Sequence, residues 1–524
     1  MARLVMLAFL SVYLPLLFLG VVHGGRITSC SQTPYPGICN SFVRTQPQAT
    51  LDKTQFAFRE SNLRVTLNQA EKAYRLVSAM DLRPFNKQAK LAWADCLELY
   101  EDTVSLLNQS LSSHSTPTGM ADAQTWLSAA MTNHQTCQNG FIEFNLTSHL
   151  QFFPFMLSSL SKLLSNSLAV NKVAALSVKQ RHNRRLLANG FPGWVSAADR
   201  KLLQSSGAAS YDVVVAQDGT GDYTTISEAV SASATLRTGT DRFVIYVKAG
   251  IYRENVMIEK SMKNLMVIGD GIGSTIVTGN TNSNGATTFR TATFAVWGNN
   301  FIARDMTVKN TAGPENYQAV ALRSGSDFSV FYRCSFIGYQ DTLYAYSQRQ
   351  FYRDCEIYGT IDFIFGNAVT VLQNCNIFVR KPLSNQKNTI TAQGRTDPNQ
   401  NTGIVVHNSR VTAASDLKPV QSSFKSYLGR PYKMYSRTVF MKSSLDSLID
   451  PAGWLPFNGD FALSTLYYGE YMNTGAGAGT SGRVTWPGYH VITSATEAAK
   501  FTVGNFLDGD SWIPGTGVPF SSTL

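Results

Sequence analysis

Two hydrophobic rhythms divide the chain. Between residues 26 and 180, apolar side chains recur at helical intervals, as in Leu63, Val65, Leu67, Ala70, Ala73, Leu76 and Val77 and again in Leu91, Ala94, Leu97, Leu99, Val104 and Leu107. Such spacing gathers apolar groups on one face of a helix. The stretch is rich in Leu, Ala, Ser, Gln and Lys and poor in Gly, which predicts an antiparallel bundle of about four helices. From Tyr211 onward the pattern changes to short β-branched and aromatic runs, such as Phe243-Val-Ile-Tyr-Val247, Leu265-Met-Val-Ile268 and Thr275-Ile-Val277, broken by Gly, Asn and Asp. Dense short strands of this kind favour a solenoid over a doubly wound sheet. Residues 226–234 read as a helix that would cap the open end of such a solenoid.

The strand-rich half repeats itself. Tyr332-Arg-Cys-Ser-Phe336, Arg353-Asp-Cys-Glu-Ile357, Gln373-Asn-Cys-Asn-Ile377 and His407-Asn-Ser-Arg-Val411 share one design, a polar pair, a small residue, a polar residue and an apolar one. Cys334, Cys355 and Cys375 set a period of about twenty residues, the length of one solenoid coil. Coils pair as strands about 4.8 Å apart, so residues one period apart lie nearly on top of each other. Asp341 and Asp362 are twenty-one residues apart and are expected to stack on one side of the solenoid. Two carboxylates that close cannot both ionise easily, so one pKa should rise while the other stays low. Gln318 and Gln340 supply amide donors beside them. The plainer alternative is a pair of loop aspartates capping turns.

Covalent hydrolytic chemistry of any kind needs a nucleophile, an acid for the leaving group and donors for developing negative charge. No Gly-x-Ser-x-Gly occurs, and residues 204–524 hold only His407 and His490, both expected to be structural. No His, Cys and carboxylate cluster has metal-ligand spacing, so neither metal nor cofactor is expected. Gly477-Ala-Gly-Thr-Ser-Gly482 fits a dinucleotide fingerprint only formally, because no strand–turn–helix unit surrounds it.

Five ordered motifs carry a family resemblance: Gly250-Ile-Tyr-Arg-Glu254, Gln318-Ala-Val-Ala-Leu-Arg323, Gly338-Tyr-Gln-Asp-Thr-Leu-Tyr344, Asp362-Phe-Ile-Phe-Gly-Asn-Ala368 and Leu428-Gly-Arg-Pro-Tyr432. Residues 210–515 thereby resemble plant pectin methylesterases, which implies an all-β right-handed parallel β-helix and hydrolysis of the methyl esters of homogalacturonan, the pectin polysaccharide. The resemblance assigns Asp362 as nucleophile, Asp341 as acid and then base, Gln318 and Gln340 as oxyanion donors, and Arg430 as the partner of the nucleophile facing the substrate carboxylate. Thr288 matches a substrate-binding position. Tyr432 stands where the family usually has Trp, keeping an aromatic face with less area. Tyr339, Tyr344, Phe363 and Phe365 are candidates for a sugar-binding cleft, with about half expected in the core. Cys355–Cys375 is the disulfide the resemblance favours, leaving Cys334 as an odd buried thiol, although spacing alone suits Cys334–Cys355 equally. Another pectin-active β-helix enzyme, a pectate lyase or polygalacturonase, is the first rival reading; a non-catalytic wall-polysaccharide binder is the second.

The remaining segments place this domain in context. At 524 residues the chain is long enough for more than one domain. Arg3 followed by the apolar run Leu4 to Val22 and Gly24-Gly25 reads as a secretory signal peptide over residues 1–25, with an uncleaved anchor as the competing reading. A secreted, extracellular, cell-wall protein is expected. Residues 26–180 resemble the pectin methylesterase inhibitor domain. Their four cysteines allow three pairings by sequence alone; the resemblance implies Cys30–Cys39 and Cys96–Cys137. Asn108 and Asn145 open glycosylation sequons. Residues 181–203 form a basic linker with Arg181-His-Asn-Arg-Arg-Leu-Leu187 and Arg200-Lys-Leu-Leu203, resembling processing sites cut by a protease, and residues 204–524 form the enzyme. Of 45 Lys+Arg and 35 Asp+Glu, residues 204–524 hold 26 and 24, net +2, and the first 203 hold 19 and 11, net +8. The basic total therefore says little about the enzyme, and nucleic acid is no expected partner. Inhibitor proteins are candidate partners, and a monomer is expected.

Overall fold

The structure is a computed structural model that describes residues 26–43, 54–152, 154–182, 211–237, 239 and 241–524. The signal segment and most of the basic linker lie outside the described residues. Helices α1 (Pro36–Val43), α2 (Gln55–Ser78), α3 (Lys87–Ser112), α4 (Pro117–Glu143) and α5 (Pro154–His182) form the N-terminal bundle. Thr54, Asn86 and Thr116 cap α2, α3 and α4 by accepting from the amides of Ala57, Ala89 and Gly119, groups that helix geometry otherwise leaves unpaired. Leu63, Leu67, Ala70, Ala73 and Val77 face inward as their spacing predicts, while Leu76 is 47% exposed. Cys30–Cys39 and Cys96–Cys137 are bridged, the second tying α3 to α4.

From Val213 the chain winds into a parallel β-helix. One column of strands runs from Phe243–Val247 through Arg349–Arg353 and Val369–Gln373 to Tyr467–Tyr471, and a second runs beside it from Gly250–Arg253 to Ser444–Leu445. The third is a seven-stranded sheet that includes Leu322–Ser324, Leu343–Ala345, Ile364–Gly366, Asn388–Gln393 and Ser426–Gly429. The strand pairings among the described residues of these columns are parallel, for example Leu343 with Ile364 and Leu343 with Leu322. The helix Ile226–Leu236, opened by a Thr225–Glu228 capping box, packs its Ile226, Ala229 and Val230 against the first coils.

The repeated sequence design has a backbone cause. Arg333, Asp354, Asn374, Asn408 and Lys442 all adopt positive φ, between 50° and 58°, at the bend between the first two columns. The next residue on each coil, Cys334, Cys355, Cys375, Ser409 and Ser443, is small and buried. A polar residue that tolerates the left-handed conformation followed by a small inward one is the signature visible in the sequence. The period is not constant: Val330 pairs with Phe351 twenty-one residues on, but Val369 pairs with Gly403 thirty-four on, because loops lengthen the later coils.

The expected Cys355–Cys375 disulfide is not formed. Cys334, Cys355 and Cys375 are free, buried thiols. Pairing of Arg353 with Gln373 and Glu356 with Asn376 sets Cys355 and Cys375 level on adjacent coils, with side chains parallel. Stacked Cβ atoms then stand about 4.8 Å apart, wider than the ~3.8 Å a bridge prefers. Each thiol instead meets main-chain oxygen, Cys355 Sγ at 3.3 Å from Phe331 O and Cys375 Sγ at 3.6 Å from Tyr352 O.

Candidate active site

The third sheet brings the acids together. Leu343 and Tyr344 pair with Ile364 and Phe365, and Asp341 and Asp362 each lie two residues ahead of those pairs. Both adopt positive φ, 63° and 50°, at matching turns. They are therefore level on consecutive coils, both 8% exposed, and both open into one cavity of about 160 Å³. Gln318, Gln340, Thr288, Arg430 and Tyr432 line the same cavity. All seven residues singled out for chemistry or substrate binding thus converge.

Arg430 follows the strand Ser426–Gly429 and reaches across the intervening coil to Asp362. Its Nη2 lies 2.7 Å from Asp362 Oδ2, and its Nε lies 2.8 Å from Oδ1. A two-point guanidinium contact orients the carboxylate as well as balancing its charge. Thr389 Oγ1 donates to Asp362 Oδ1 at 2.7 Å. Among the described residues Asp341 has no such partner. Burial, then the neighbouring charges of Asp362 and Glu143, push its carboxyl well above the usual carboxylate range, against the opposing pull of Arg430. One acid is held by a cation while its neighbour is biased toward the protonated form, two unlike environments for two identical side chains.

The amide of Gln318 is placed as a donor. Ser283 Oγ donates to Gln318 Oε1 at 2.7 Å, which leaves the NH₂ of that amide for the cavity it lines. Of the four aromatic candidates, Tyr344 and Phe365 stack at 4.1 Å and line the cavity. Phe363 is core, and Tyr339 lies under the Arg380 guanidinium at 3.7 Å. Tyr432 packs edge-on against Phe457, which also lines the site. His407 is buried against Gln373, with its pKa pushed down to about 4 first by burial, so it stays neutral and structural. Among the described residues no group of His, Cys, Asp and Glu could hold a metal ion.

The helical bundle roofs this cavity. Asp95, Thr136, Asn139, Gly140 and Glu143 from α3 and α4 share its lining. Glu143 Oε2 accepts from the amide of Thr288 at 2.8 Å, and Asn139 Nδ2 donates to the Tyr432 hydroxyl at 3.2 Å. Acids of the bundle meet bases of the solenoid along the contact: Asp95 and Glu98 with Arg290, Asp102 with Lys260, and Asp122 with Arg349. Phe289, Trp297 and Tyr346 of the solenoid are buried in the bundle's own apolar cluster.

Comparison with known proteins gives matches for both parts of the chain. A family model described as pectinesterase matches residues 212–510, and one described as plant invertase/pectin methylesterase inhibitor matches residues 27–170. Pectinesterase 2 of Citrus sinensis is 56% identical over 497 residues, covering 94% of each chain. The probable pectinesterase/pectinesterase inhibitor 6 of Arabidopsis thaliana is 55% identical over 529 residues, covering 95% of this chain and 94% of its own. The chain belongs to the pectinesterase family. Its fold matches the solved pectin methylesterase from carrot with a TM-score of 0.60 and 60% identity, over 61% of this chain and 100% of that one. This pectinesterase is a carboxylic ester hydrolase with an inhibitor-family region ahead of its β-helix.

Several functional neighbours escaped the sequence reading. Thr389 and Ser283 carry no motif; only the coil register brings them to Asp362 and Gln318. Glu143 and Asp95 lie on helices of another domain, and nothing in helical periodicity tells which exposed acid will meet a partner. Asn108 and Asn145 are exposed, as sequons require.

Proposed function

We propose that Asp362 and Asp341 divide the hydrolysis of homogalacturonan methyl esters between them, and that the bundle holds the enzyme closed until it is removed. Asp362 attacks the ester carbonyl carbon, and charge develops on the carbonyl oxygen beside Gln318 and Gln340. The bond to the methoxy oxygen breaks, Asp341 gives its proton to that oxygen, and methanol leaves an acyl group on Asp362. Asp341, now a base, takes a proton from water as the water attacks the acyl carbon. The bond between the acyl carbon and Asp362 breaks, the galacturonic acid leaves and gives its proton to solvent, and both acids are restored. Splitting one displacement into two lowers each barrier. Arg430 orients the nucleophile and faces the substrate's charge, while Tyr344, Phe365, Thr288 and Tyr432 offer surface to the sugar rings.

One juxtaposition carries this reading: the buried carboxyl of Asp341, pushed well above the usual carboxylate range, stands level with an Asp362 gripped by Arg430 in one cavity. Measuring methanol release beside chain length on methylated homogalacturonan with residues 204–524 tests it. Methanol with unchanged chain length is expected; shortening without methanol would point to a glycosidase or lyase.

The roof over the cavity supports restraint by the inhibitor-family region, with a protease acting at the basic linker to free the solenoid. The two bundle disulfides suit an oxidising compartment, and the apolar run at residues 4–22 suits secretion to the cell wall. Among the described residues no helix is long and apolar enough to cross a membrane.

A further inference from the structure

The two catalytic acids are members of a longer column. Ile364 pairs with Thr391 on the following coil, so the position level with Asp362 on that coil is Thr389. Asp341, Asp362 and Thr389 therefore occupy one register position on three successive coils, although the spacing changes from twenty-one to twenty-seven residues. Thr389 is 1% exposed, and its hydroxyl has both roles committed. Its oxygen accepts from the backbone amide of Asp362 at 3.0 Å. Its proton is then directed to Asp362 Oδ1, 2.7 Å away.

The two oxygens of Asp362 are consequently unequal. Oδ1 receives Thr389 Oγ1 at 2.7 Å and Arg430 Nε at 2.8 Å, which occupies both of its in-plane lone pairs. Oδ2 receives Arg430 Nη2 at 2.7 Å and only a longer share of Nε, at 3.1 Å. We propose that Thr389 is a positioning residue that locks the Asp362 side chain and ties up Oδ1, so that Oδ2 is the oxygen that attacks the ester. The inference rests on Asp362 being the nucleophile. Without the hydroxyl, the carboxylate is held by Arg430 alone and can turn about its Cβ–Cγ bond, presenting either oxygen at the wrong angle. A near-attack geometry lost by a small rotation is lost mainly in the chemical step.

The test compares Thr389→Val, which keeps shape and removes the hydroxyl, with Thr389→Ser, which keeps the hydroxyl. Both are assayed for methanol release in the full chain and in the solenoid part that the carrot enzyme spans, with Asp362→Asn as control. Thr389→Val is expected to lower kcat about ten- to hundredfold, the range for losing one hydrogen bond to a charged group, with KM for methylated oligogalacturonide within about twofold. Thr389→Ser is expected to restore kcat to within about threefold of the parent. An unchanged kcat in Thr389→Val, or a loss in Thr389→Ser as deep as in Thr389→Val, overturns the positioning role. If Thr389→Val does not fold, Thr389→Cys serves instead: its weak donor should give an intermediate kcat, and a parental kcat overturns the role. An active Asp362→Asn would refute the nucleophile reading itself, separately from Thr389.

Discussion

Asp341 stands level with Asp362 on the preceding coil because Leu343 pairs in register with Ile364. The two carboxyls share a cavity but not an environment: Arg430 and Thr389 grip Asp362, while Asp341 has burial and two acidic neighbours. The proposed division of labour between identical side chains rests on that difference.

The first consequence is a pH dependence with a definite sign. In the proposed role of acid, Asp341 works only while protonated, so the acylation rate should fall as pH rises through its elevated folded-state pKa. Stability follows the same group. Its folded pKa lies above its unfolded one, so the folded state binds the proton more tightly. That contribution is full below the unfolded carboxylate pKa of about 3.9 and is lost as pH rises through the folded value. Asp341→Asn, neutral at every pH, should abolish turnover yet melt higher than the parent, with a larger gain at pH 8 than at pH 4. Thermal melts at the two pH values check this.

The roof predicts a latent full-length chain. Full-length protein should release methanol more than about tenfold slower than residues 204–524, in proportion to the fraction of time the cleft is covered. Asp95 is 1% exposed and holds Arg290 Nε at 2.6 Å and Thr287 Oγ1 at 2.5 Å across the contact. Asp95→Ala removes both, at a cost of about 1.5–3 kcal/mol for bonds to a charged group. Methanol release by the full chain should rise several-fold while the solenoid alone is unaffected.

A third prediction concerns Gln318. Ser283→Ala frees its Oε1 from the 2.7 Å bond that aims the amide. A flipped amide would present oxygen to the developing oxyanion. We expect kcat to fall about tenfold, below the hundredfold or more of losing an oxyanion donor outright, with melting unchanged. Steady-state methanol assays and a melting curve check this.

Thiol chemistry separates the two domains. Of seven cysteines, four are bridged in the bundle and three are free in the solenoid. Alkylation after denaturation without reductant should label Cys334, Cys355 and Cys375 alone. Cys137→Ser should lower bundle stability by about 2–4 kcal/mol and leave the solenoid transition in place. Peptide mass mapping and calorimetry report these separately.

Much of the fold was legible because a solenoid writes its geometry into a period. The left-handed bend residue and the small residue after it recur visibly at Arg333-Cys334, Asp354-Cys355 and Asn374-Cys375, and the same spacing places Asp341 on Asp362. Legibility ends where the period does. Thr389 was missed because its coil is six residues longer, so no fixed offset leads to it from Asp362. The Cys355–Cys375 bridge was expected from the family resemblance, and spacing could not correct it, because spacing reports which residues are level but not whether their sulfurs are joined. The bundle's helices could be read from their apolar stripe, but their docking could not. It depends on acids such as Asp95, Asp102 and Asp122, which in the sequence look like any solvated charge.

The sharpest test of the stacked-acid mechanism is the methanol kcat of Asp362→Asn in residues 204–524, beside its melting temperature. The mechanism predicts a loss of more than about a thousandfold with melting close to the parent. A folded variant that keeps more than about a tenth of parental kcat would contradict it.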